Sequence, residues 1–167
     1  SVGGVVTAEG AAQRPVNLLM SGPVAGLIGG IWTGNKAGRP SVITLDVGGT
    51  SADIGVAPDG QVRMKHLLDT QVGGYHAMIP MVEIDAIGAG GGSLAYIDEG
   101  GMFRVGPRSA GADPGPACYG KGGTLPTATD ALVALGRIRN GSLLGGQVKV
   151  HGQLANNAIE RELCGPC

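Results

Sequence analysis

The sequence of 167 residues has few aromatic side chains, with one Phe, one Trp and three Tyr. A core must therefore be filled by Val, Ile, Leu, Ala and Met, and the length is sufficient for one such core. Three cysteines, an odd number, argue against a disulfide framework. We therefore expect a single partial domain over residues 1–167 with an aliphatic interior.

Strong charge and long hydrophobic runs are also missing. The net charge is −1 and no basic stripe occurs, so nucleic acid and an anionic membrane surface are not expected partners. The apolar runs are far shorter than the roughly 20 residues of a membrane helix, and no signal segment opens the chain. We predict a cytoplasmic protein. The chain starts at Ser1 rather than Met, which indicates a piece of a longer protein.

Glycine is abundant, at 33 of 167 residues. This is about a fifth of the chain, against a usual share of roughly 7%. The glycines follow no fixed period, which excludes collagen and solenoid repeats. They often occur in pairs or runs, which predicts close backbone approaches and sharp turns at many points.

Periodicity and turn residues predict an α/β fold. Residues 15–20 are expected to be extended, and Ser21 to cap a helix over 24–34 in which Gly26, Gly29 and Gly30 form a small face. A buried-type strand is predicted at 39–46, with further strands at 51–57 and 61–68 joined by a Pro-Asp-Gly turn. The remaining predicted elements are a strand at 81–88, a hairpin at 94–106, a long Gly/Pro-rich loop at 107–130, a helix at 128–138 capped by Thr127 or Thr129, and a closing helix at 152–164.

The stretch TLDVGGTSADIGV (44–56) carries the strongest chemical signal. Gly48 and Gly49 bring backbone amides to one point, because glycine accepts positive φ angles and has no Cβ, and Thr50 and Ser51 add hydroxyl donors. Asp46 could hold a hydrated Mg²⁺ beside a phosphate, with Asp53 in the same neighbourhood. The alternative is a plain hairpin turn, because Gly-Gly turns are common and no Walker motif is present.

Three other motifs leave alternatives open. Residues 88–93 nearly spell a dinucleotide fingerprint, but the last glycine is missing and a hairpin follows instead of a helix. Cys118 is a candidate thiol without a local His, so a structural loop is the competing interpretation. Cys164 and Cys167 form CGPC, a redox motif that needs a helix start; here it follows a helix, which favours a terminal tail.

Four stretches together resemble the hydantoinase/oxoprolinase family in its A-type subunit. They are LLMSGPVAG (18–26), TLDVGGTSADIGV (44–56), the glycine- and proline-rich block from IGAGGGS to ACYG (87–120), and PTATDALVALGRI (126–138). The similarity extends from Gly3 to Gly146, and the tail at 147–167 matches poorly.

The resemblance implies an actin-like ATPase with RNase H-like lobes, of which this chain is part of the second lobe, with a mixed sheet, flanking helices and long Gly/Pro-rich loops. A matching phosphate hairpin is implied on the first lobe, outside the chain. The resemblance assigns ATP phosphate to Gly48, Gly49, Thr50 and Ser51, and catalytic roles to Asp46 and Asp53, with Asp46 also at Mg²⁺. The nucleotide cleft is assigned to Gly88, Gly90, Gly91, Gly92 and Ser93.

The resemblance also implies an activity. Family members use ATP to open cyclic amides such as hydantoin or 5-oxoproline, often with a B-type subunit or domain as partner. We therefore expect a fragment of an ATP-dependent cyclic amide hydrolase that is inactive by itself. The alternatives are a subunit of an ATP-dependent ketone carboxylase and a catalytically inactive isolated lobe.

Overall fold

The computed structural model describes residues 2–67, 69–72 and 74–165. The chain forms two compact units, and each has its own elements and apolar cluster. The first unit contains Ser1–Asp46 and Asp53–Ala86, and the second contains Val47–Ala52 and Ile87–Cys167.

In its described residues, the first unit contains two α-helices and five short strands. They are α1 (Ala8–Gln13), α2 (Ser21–Lys36), β1 (Val42–Val47), β2 (Ala52–Ala57), β3 (Gln71–Val72), β4 (Tyr75–His76) and β5 (Ile84–Ile87). Three end residues of these strands, Val47, Ala52 and Ile87, are assigned to the second unit. The sheet order is β1-β2-β5, and β3 pairs with β4 antiparallel. The core of this unit consists of Val24, Leu27, Ala57, Val82 and Ile84.

Helix α2 confirms the predicted helix but begins differently. Ser21 is its first residue and not its cap; the cap position belongs to Met20, which has a left-handed backbone with φ 57° and gives no side-chain cap. The predicted close approach is confirmed at Gly30, where a Cβ would lie 2.6 Å from Thr44 Cγ2. It is wrong at Gly26 and Gly29, where a Cβ would meet nothing within 4 Å.

Strand β1 forms at the predicted place, but its burial differs from the prediction. Ile43 and Leu45 are 74% and 64% exposed, whereas Val42 packs against the core. In the sheet order, β1 is an edge strand with β2 on one side. Its nearly continuous apolar run is therefore buried on one face only.

Two further predictions for the first unit are wrong. Residues 15–18 form a 3₁₀ helix (Pro15–Leu18) instead of an extended piece, because the Asn17 and Leu19 amides close short turns onto Arg14 and Val16 carbonyls. Residues 61–67 do not form a strand, since this segment pairs with residues 81–83 through one isolated bridge, Met64 to Val82. Leu68, the end of that predicted strand, lies outside the described residues.

As far as it is described, up to residue 165, the second unit contains two antiparallel strand pairs and two α-helices. They are β6 (Ser93–Ile97) with β7 (Phe103–Ser109), α3 (Ala128–Ala134), β8 (Gly141–Leu143) with β9 (Val148–Val150), and α4 (Gly152–Ile159), which continues as a π-helical turn over Glu160–Cys164. The predicted hairpin and both helices are confirmed. The core contains Cys118, Val133, Val150 and Ala155.

The β6–β7 hairpin is closed by one aspartate. Asp98 accepts hydrogen bonds from Arg104 Nε at 2.8 Å, Met102 N at 2.9 Å and Gly100 N at 3.0 Å. The bond from Arg104, followed by that from Met102, lowers the pKa of Asp98. The hairpin signal at Glu99-Gly100-Gly101 therefore has a local cause that the sequence displays.

The described elements give an α/β fold with antiparallel strand pairs. Within the described residues, no helix combines the length and the apolar character that crossing a bilayer requires. The longest of the described helices, α2, has 16 residues.

Candidate active site

Asp46 and Asp53 line one cavity in the first unit. The cavity has a volume of about 350 Å³ and is walled by residues of α2, β1, β2 and β5: Pro23, Gly26, Thr44, Leu45, Asp46, Asp53, Gly55 and Ile84. Asp46 is the next-to-last residue of β1 and Asp53 is the second residue of β2. Both carboxylates therefore lie near the strand ends that the Gly-Gly turn connects.

The two carboxylates are available to a ligand. Asp46 is exposed and Asp53 is half-buried. Within the described part of the chain, neither has an ion pair or hydrogen-bond partner on its side chain. Carboxylate oxygens of this kind can accept protons or bind a hard cation such as Mg²⁺.

Helix α2 forms one wall of this cavity through Pro23 and Gly26, and it comes close to β1 at Gly30, where a Cβ would lie 2.6 Å from Thr44 Cγ2. Gly55 on β2 also lacks room for a side chain, since a Cβ there would lie 2.8 Å from Thr44 Oγ1 and 3.0 Å from Leu27 Cδ1. Gly26, by contrast, lines the cavity with nothing within 4 Å of its missing Cβ. This glycine leaves part of the cavity open.

In the second unit, the Gly-Gly turn lies against the glycine-rich loop before β6. The Gly91 amide donates to Gly48 O at 2.9 Å, and the Gly92 amide donates to Gly49 O at 2.6 Å. The Gly90 amide donates to Ser93 Oγ at 2.8 Å, and the Ser93 amide donates to Gly90 O at 3.0 Å. The amides of residues 90–93 therefore have protein acceptors and are not free to bind an anion.

The same contact explains why glycine occupies positions 90 and 92. A Cβ on Gly90 would lie 2.8 Å from Gly48 O and 2.9 Å from Ser51 N, and one on Gly92 would lie 2.9 Å from Gly49 O. Gly88 is restricted by Pro107, because a Cβ added at Gly88 would lie 2.8 Å from the Pro107 Cβ. A close backbone crossing thus requires glycine at positions 90 and 92, and the contact with Pro107 requires it at position 88.

The turn at 48–51 has hydrogen-bond donors that no described protein group accepts from. The Gly48 amide donates to Ser51 O at 2.9 Å. Among the described residues, the Gly49 and Thr50 amides have no protein acceptor, and both residues are exposed. The Thr50 hydroxyl and the half-buried Ser51 hydroxyl add donors. The turn at 48–51 therefore has the groups that an anion nest needs.

The prediction that positive φ angles require glycine at positions 48 and 49 is wrong. Neither Gly48 nor Gly49 is in the left-handed region, so positive φ does not explain them. A Cβ at Gly48 would lie 3.4 Å from Ser51 O, and one at Gly49 would meet nothing within 4 Å. Gly49 thus leaves open space above the turn.

The start of α3 fixes the glycine-rich loop, a role that sequence reasoning missed. The Thr129 hydroxyl and the Thr129 amide both donate to Gly91 O at 2.8 Å. Thr127 caps α3 in a reciprocal capping box with Asp130. The Thr127-x-x-Asp130 spacing is a sequence signal for the capping box, but not for the bonds from Thr129 to Gly91.

Asp130 also organises the long Gly/Pro-rich loop. It is fully buried, and its carboxylate accepts from Cys118 N at 2.7 Å, Thr127 Oγ1 at 2.7 Å, Thr127 N at 2.8 Å and Ala117 N at 3.2 Å. Hydrogen bonds within proteins typically contribute about 0.5–1.5 kcal/mol each. One carboxylate therefore ties the loop to α3.

Cys118 is a structural residue of this loop. Its side chain is fully buried. Burial, followed by the hydrogen bond to Asp130, raises the pKa of the Cys118 thiol to about 12. A neutral, buried thiol is a poor nucleophile, which supports the structural interpretation. Cys164 is exposed at the end of the π-helical turn, away from any helix start, and Cys167 lies outside the described residues.

Comparisons with known proteins place these features in a family. The hydantoinase/oxoprolinase family model matches residues 1–166. The alpha subunit of caprolactamase from Pseudomonas jessenii is 43% identical over 166 residues, covering 99% of this chain and 24% of that protein.

Two solved structures are also similar. The crystal structure of ATP-dependent caprolactamase from Pseudomonas jessenii matches 87% of this chain with a TM-score of 0.76 and 44% identity, covering 21% of that protein. The nucleotide-free structure of acetone carboxylase, an enzyme of ATP-dependent acetone carboxylation, matches 99% with a TM-score of 0.79 and 30% identity, covering 23%. This chain thus spans less than a quarter of each of these relatives. Since the family model covers nearly the whole chain, the chain belongs to the hydantoinase/oxoprolinase family.

Proposed function

We propose that this chain is part of an ATP-dependent enzyme that opens a cyclic amide ring, and that the turn at 48–51 holds phosphate groups of the nucleotide. The observation that carries the proposal is the exposed turn, in which the Gly49 and Thr50 amides have no protein acceptor. Backbone amides of this kind bind phosphate oxygens well. Two similar structures belong to ATP-dependent enzymes, which supports a nucleotide as the source of the phosphate.

Asp46 and Asp53 are the proposed catalytic carboxylates, with Asp46 also at Mg²⁺. Mg²⁺ is usually held by one or two carboxylates, several waters and substrate phosphates. Two unpartnered carboxylates on one cavity fit that pattern, and among the described residues no three His, Cys, Asp or Glu side chains converge. When bound, the ion would neutralise phosphate charge.

The glycine-rich loop has a positioning role in this proposal. Gly91 and Gly92 hold the turn through its carbonyls, and Thr129 holds Gly91 in turn. Gly88, Gly90 and Ser93 keep the loop in the shape that this crossing needs. A rigid turn presents its free amides without reorganisation, which is the main source of electrostatic catalysis.

The larger architecture is also a proposal. We infer that the chain contributes to the second lobe of an actin-like ATPase and that a B-type subunit or domain completes the enzyme. The caprolactamase relative is itself named as an alpha subunit, which supports a partner.

A ketone carboxylase subunit is the second candidate. The acetone carboxylase structure matches this chain with a TM-score of 0.79, against 0.76 for the caprolactamase, although its sequence identity is lower, at 30% against 44%. Incorporation of labelled bicarbonate into a ketone, with ATP consumed, would identify this activity. Ring opening of a lactam without bicarbonate would identify the hydrolase.

The decisive experiment measures ATP hydrolysis that depends on a cyclic amide, in the full-length protein with its partner. Asp46→Asn with Thr50→Ala should lower the rate by roughly 10² to 10³, because donors and charges at developing negative charge contribute that much. Glu99→Gln, an exposed carboxylate change in the β6–β7 hairpin, is the matched control and should keep the rate. An unchanged rate in the double variant would refute the site assignment.

A further inference from the structure

A second cavity in the first unit is lined by none of the residues assigned to phosphate or Mg²⁺, and it shares Ile84 with the cavity that contains Asp46 and Asp53. Its volume is about 560 Å³, within the usual range for small-ligand pockets. Leu19 and Met20, which precede α2, form one side, and Lys65, residues 69–71 and the segment at 81–86 form the others. The Met64–Val82 bridge joins the chain next to Lys65 to the segment at 81–86, and so does the Lys65 amide, which donates to Met81 O at 2.8 Å.

The wall of this cavity contains a buried hydroxyl without a partner. Thr70 is 6% exposed, and within the described part of the chain its Oγ1 is the buried side-chain polar atom that makes no hydrogen bond. Its backbone is satisfied, since Thr70 O accepts from the Ala77 amide at 2.9 Å. Buried polar atoms are nearly always paired, so an orphan on a cavity wall indicates a missing ligand.

The remaining lining restricts the chemistry of that ligand. Met81, Val82 and Ile84 are buried and give the cavity apolar walls. Lys65, Asp69 and Asp85 bring one ammonium and two carboxylates to the same cavity. The excess of negative charge disfavours an anionic ligand. An uncharged molecule with an apolar ring and a hydrogen-bonding group fits best.

We propose that this cavity binds an uncharged cyclic amide, with the Thr70 hydroxyl donating to the amide carbonyl and the ring packed on Met81, Val82 and Ile84. The amide N–H then has carboxylate acceptors on Asp69 and Asp85. The choice of a cyclic amide rests on the proposed function; the site itself rests on the cavity and its orphan hydroxyl.

Thr70→Val tests the site, because valine keeps the shape and removes the hydroxyl. Thr33→Val, in which an exposed hydroxyl bonded to Gly29 O at 2.9 Å is lost, is the matched control. In the full-length protein with its partner, saturation-transfer NMR and calorimetry measure the binding of ε-caprolactam. Thr70→Val should weaken binding about fivefold to tenfold, as expected for one neutral hydrogen bond, without lowering Tm, and Thr33→Val should leave binding unchanged.

The charge argument has its own test. 2-Pyrrolidone and 5-oxoproline share a ring and differ by a carboxylate, so 2-pyrrolidone should bind and 5-oxoproline should bind more weakly. Tighter binding of 5-oxoproline would overturn the uncharged class.

Failure of this site and failure of the proposed function give different results. If the wild type hydrolyses ATP in response to ε-caprolactam but Thr70→Val keeps the wild-type KM for the lactam, the site is wrong and the function stands. If no cyclic amide stimulates ATP hydrolysis but Thr70→Val weakens ε-caprolactam binding as expected, the function is wrong and the site stands. Absence of lactam binding to the wild type overturns the site.

Discussion

At the scale of single residues, environment decides what each reactive group can do. Cys118 and Asp46 are both candidates from sequence chemistry, yet one is sealed in a core and the other is exposed on a cavity wall. The orphan hydroxyl of Thr70 is the reverse case, since nothing in its local sequence marks it. Burial and partners therefore sort these residues into structural and functional groups.

The neutral Cys118 thiol predicts slow alkylation. With a pKa of about 12, only roughly 10⁻⁴ of the thiol is ionised at pH 8, and burial slows access further. In the full-length protein treated with iodoacetamide, peptide mapping should show the Cys118 peptide unmodified while the exposed Cys164 peptide is modified. Both should react in denaturant. Rapid native labelling of Cys118 would contradict its structural assignment.

At the scale of elements, the crossing of the turn and the glycine-rich loop sets a steric limit. Gly90→Ala should destabilise the protein by about 1–3 kcal/mol, because its Cβ would press on Gly48 O at 2.8 Å. Gly49→Ala is the matched control, since its Cβ meets nothing within 4 Å. Thermal unfolding should give a lower Tm for the first variant alone. Equal Tm values would show that the crossing can relax.

The edge strand β1 predicts self-association of the isolated chain. Ile43 and Leu45 are apolar, exposed and on an edge, a combination that favours pairing with another copy. Changing both to Thr should reduce association in sedimentation velocity while keeping the strand. Val42→Thr, which alters a residue packed on the core, should instead lower Tm. Unchanged association of the double variant would exclude this face.

Local patterns predicted much of the element order, and the failures have physical causes. The β6–β7 hairpin and the Thr127 cap depend on short-range bonds, so the sequence displayed them. The exposure of β1 depends on what lies beside the sheet, which a strand's own residues do not encode. The link from Thr129 to Gly91 is long-range, and no local pattern predicted it.

At the scale of the whole molecule, the chain spans less than a quarter of the relatives described above. The proposed phosphate site has one hairpin here, and the two-lobed architecture assigns another to the rest of the protein. We therefore expect the isolated chain to bind Mg-ATP at least about 100-fold more weakly than the full-length protein, since each hydrogen bond to a charged phosphate contributes about 1.5–3 kcal/mol. Isothermal titration calorimetry on both would measure this. Equal affinities would contradict the two-lobed proposal and favour a self-sufficient site.

The bonds that hold the Gly-Gly turn also affect the order in which the chain folds. Gly48 and Gly49 are bonded to Gly91 and Gly92, and Gly91 is bonded to Thr129. Three segments far apart in the chain must meet before the turn is held. Contacts of such large sequence separation form late, because closing long loops is slow. During synthesis, the turn at 48–51 therefore leaves the ribosome long before the residues that fix it. It can reach its final conformation only after the first residues of α3 have been synthesised.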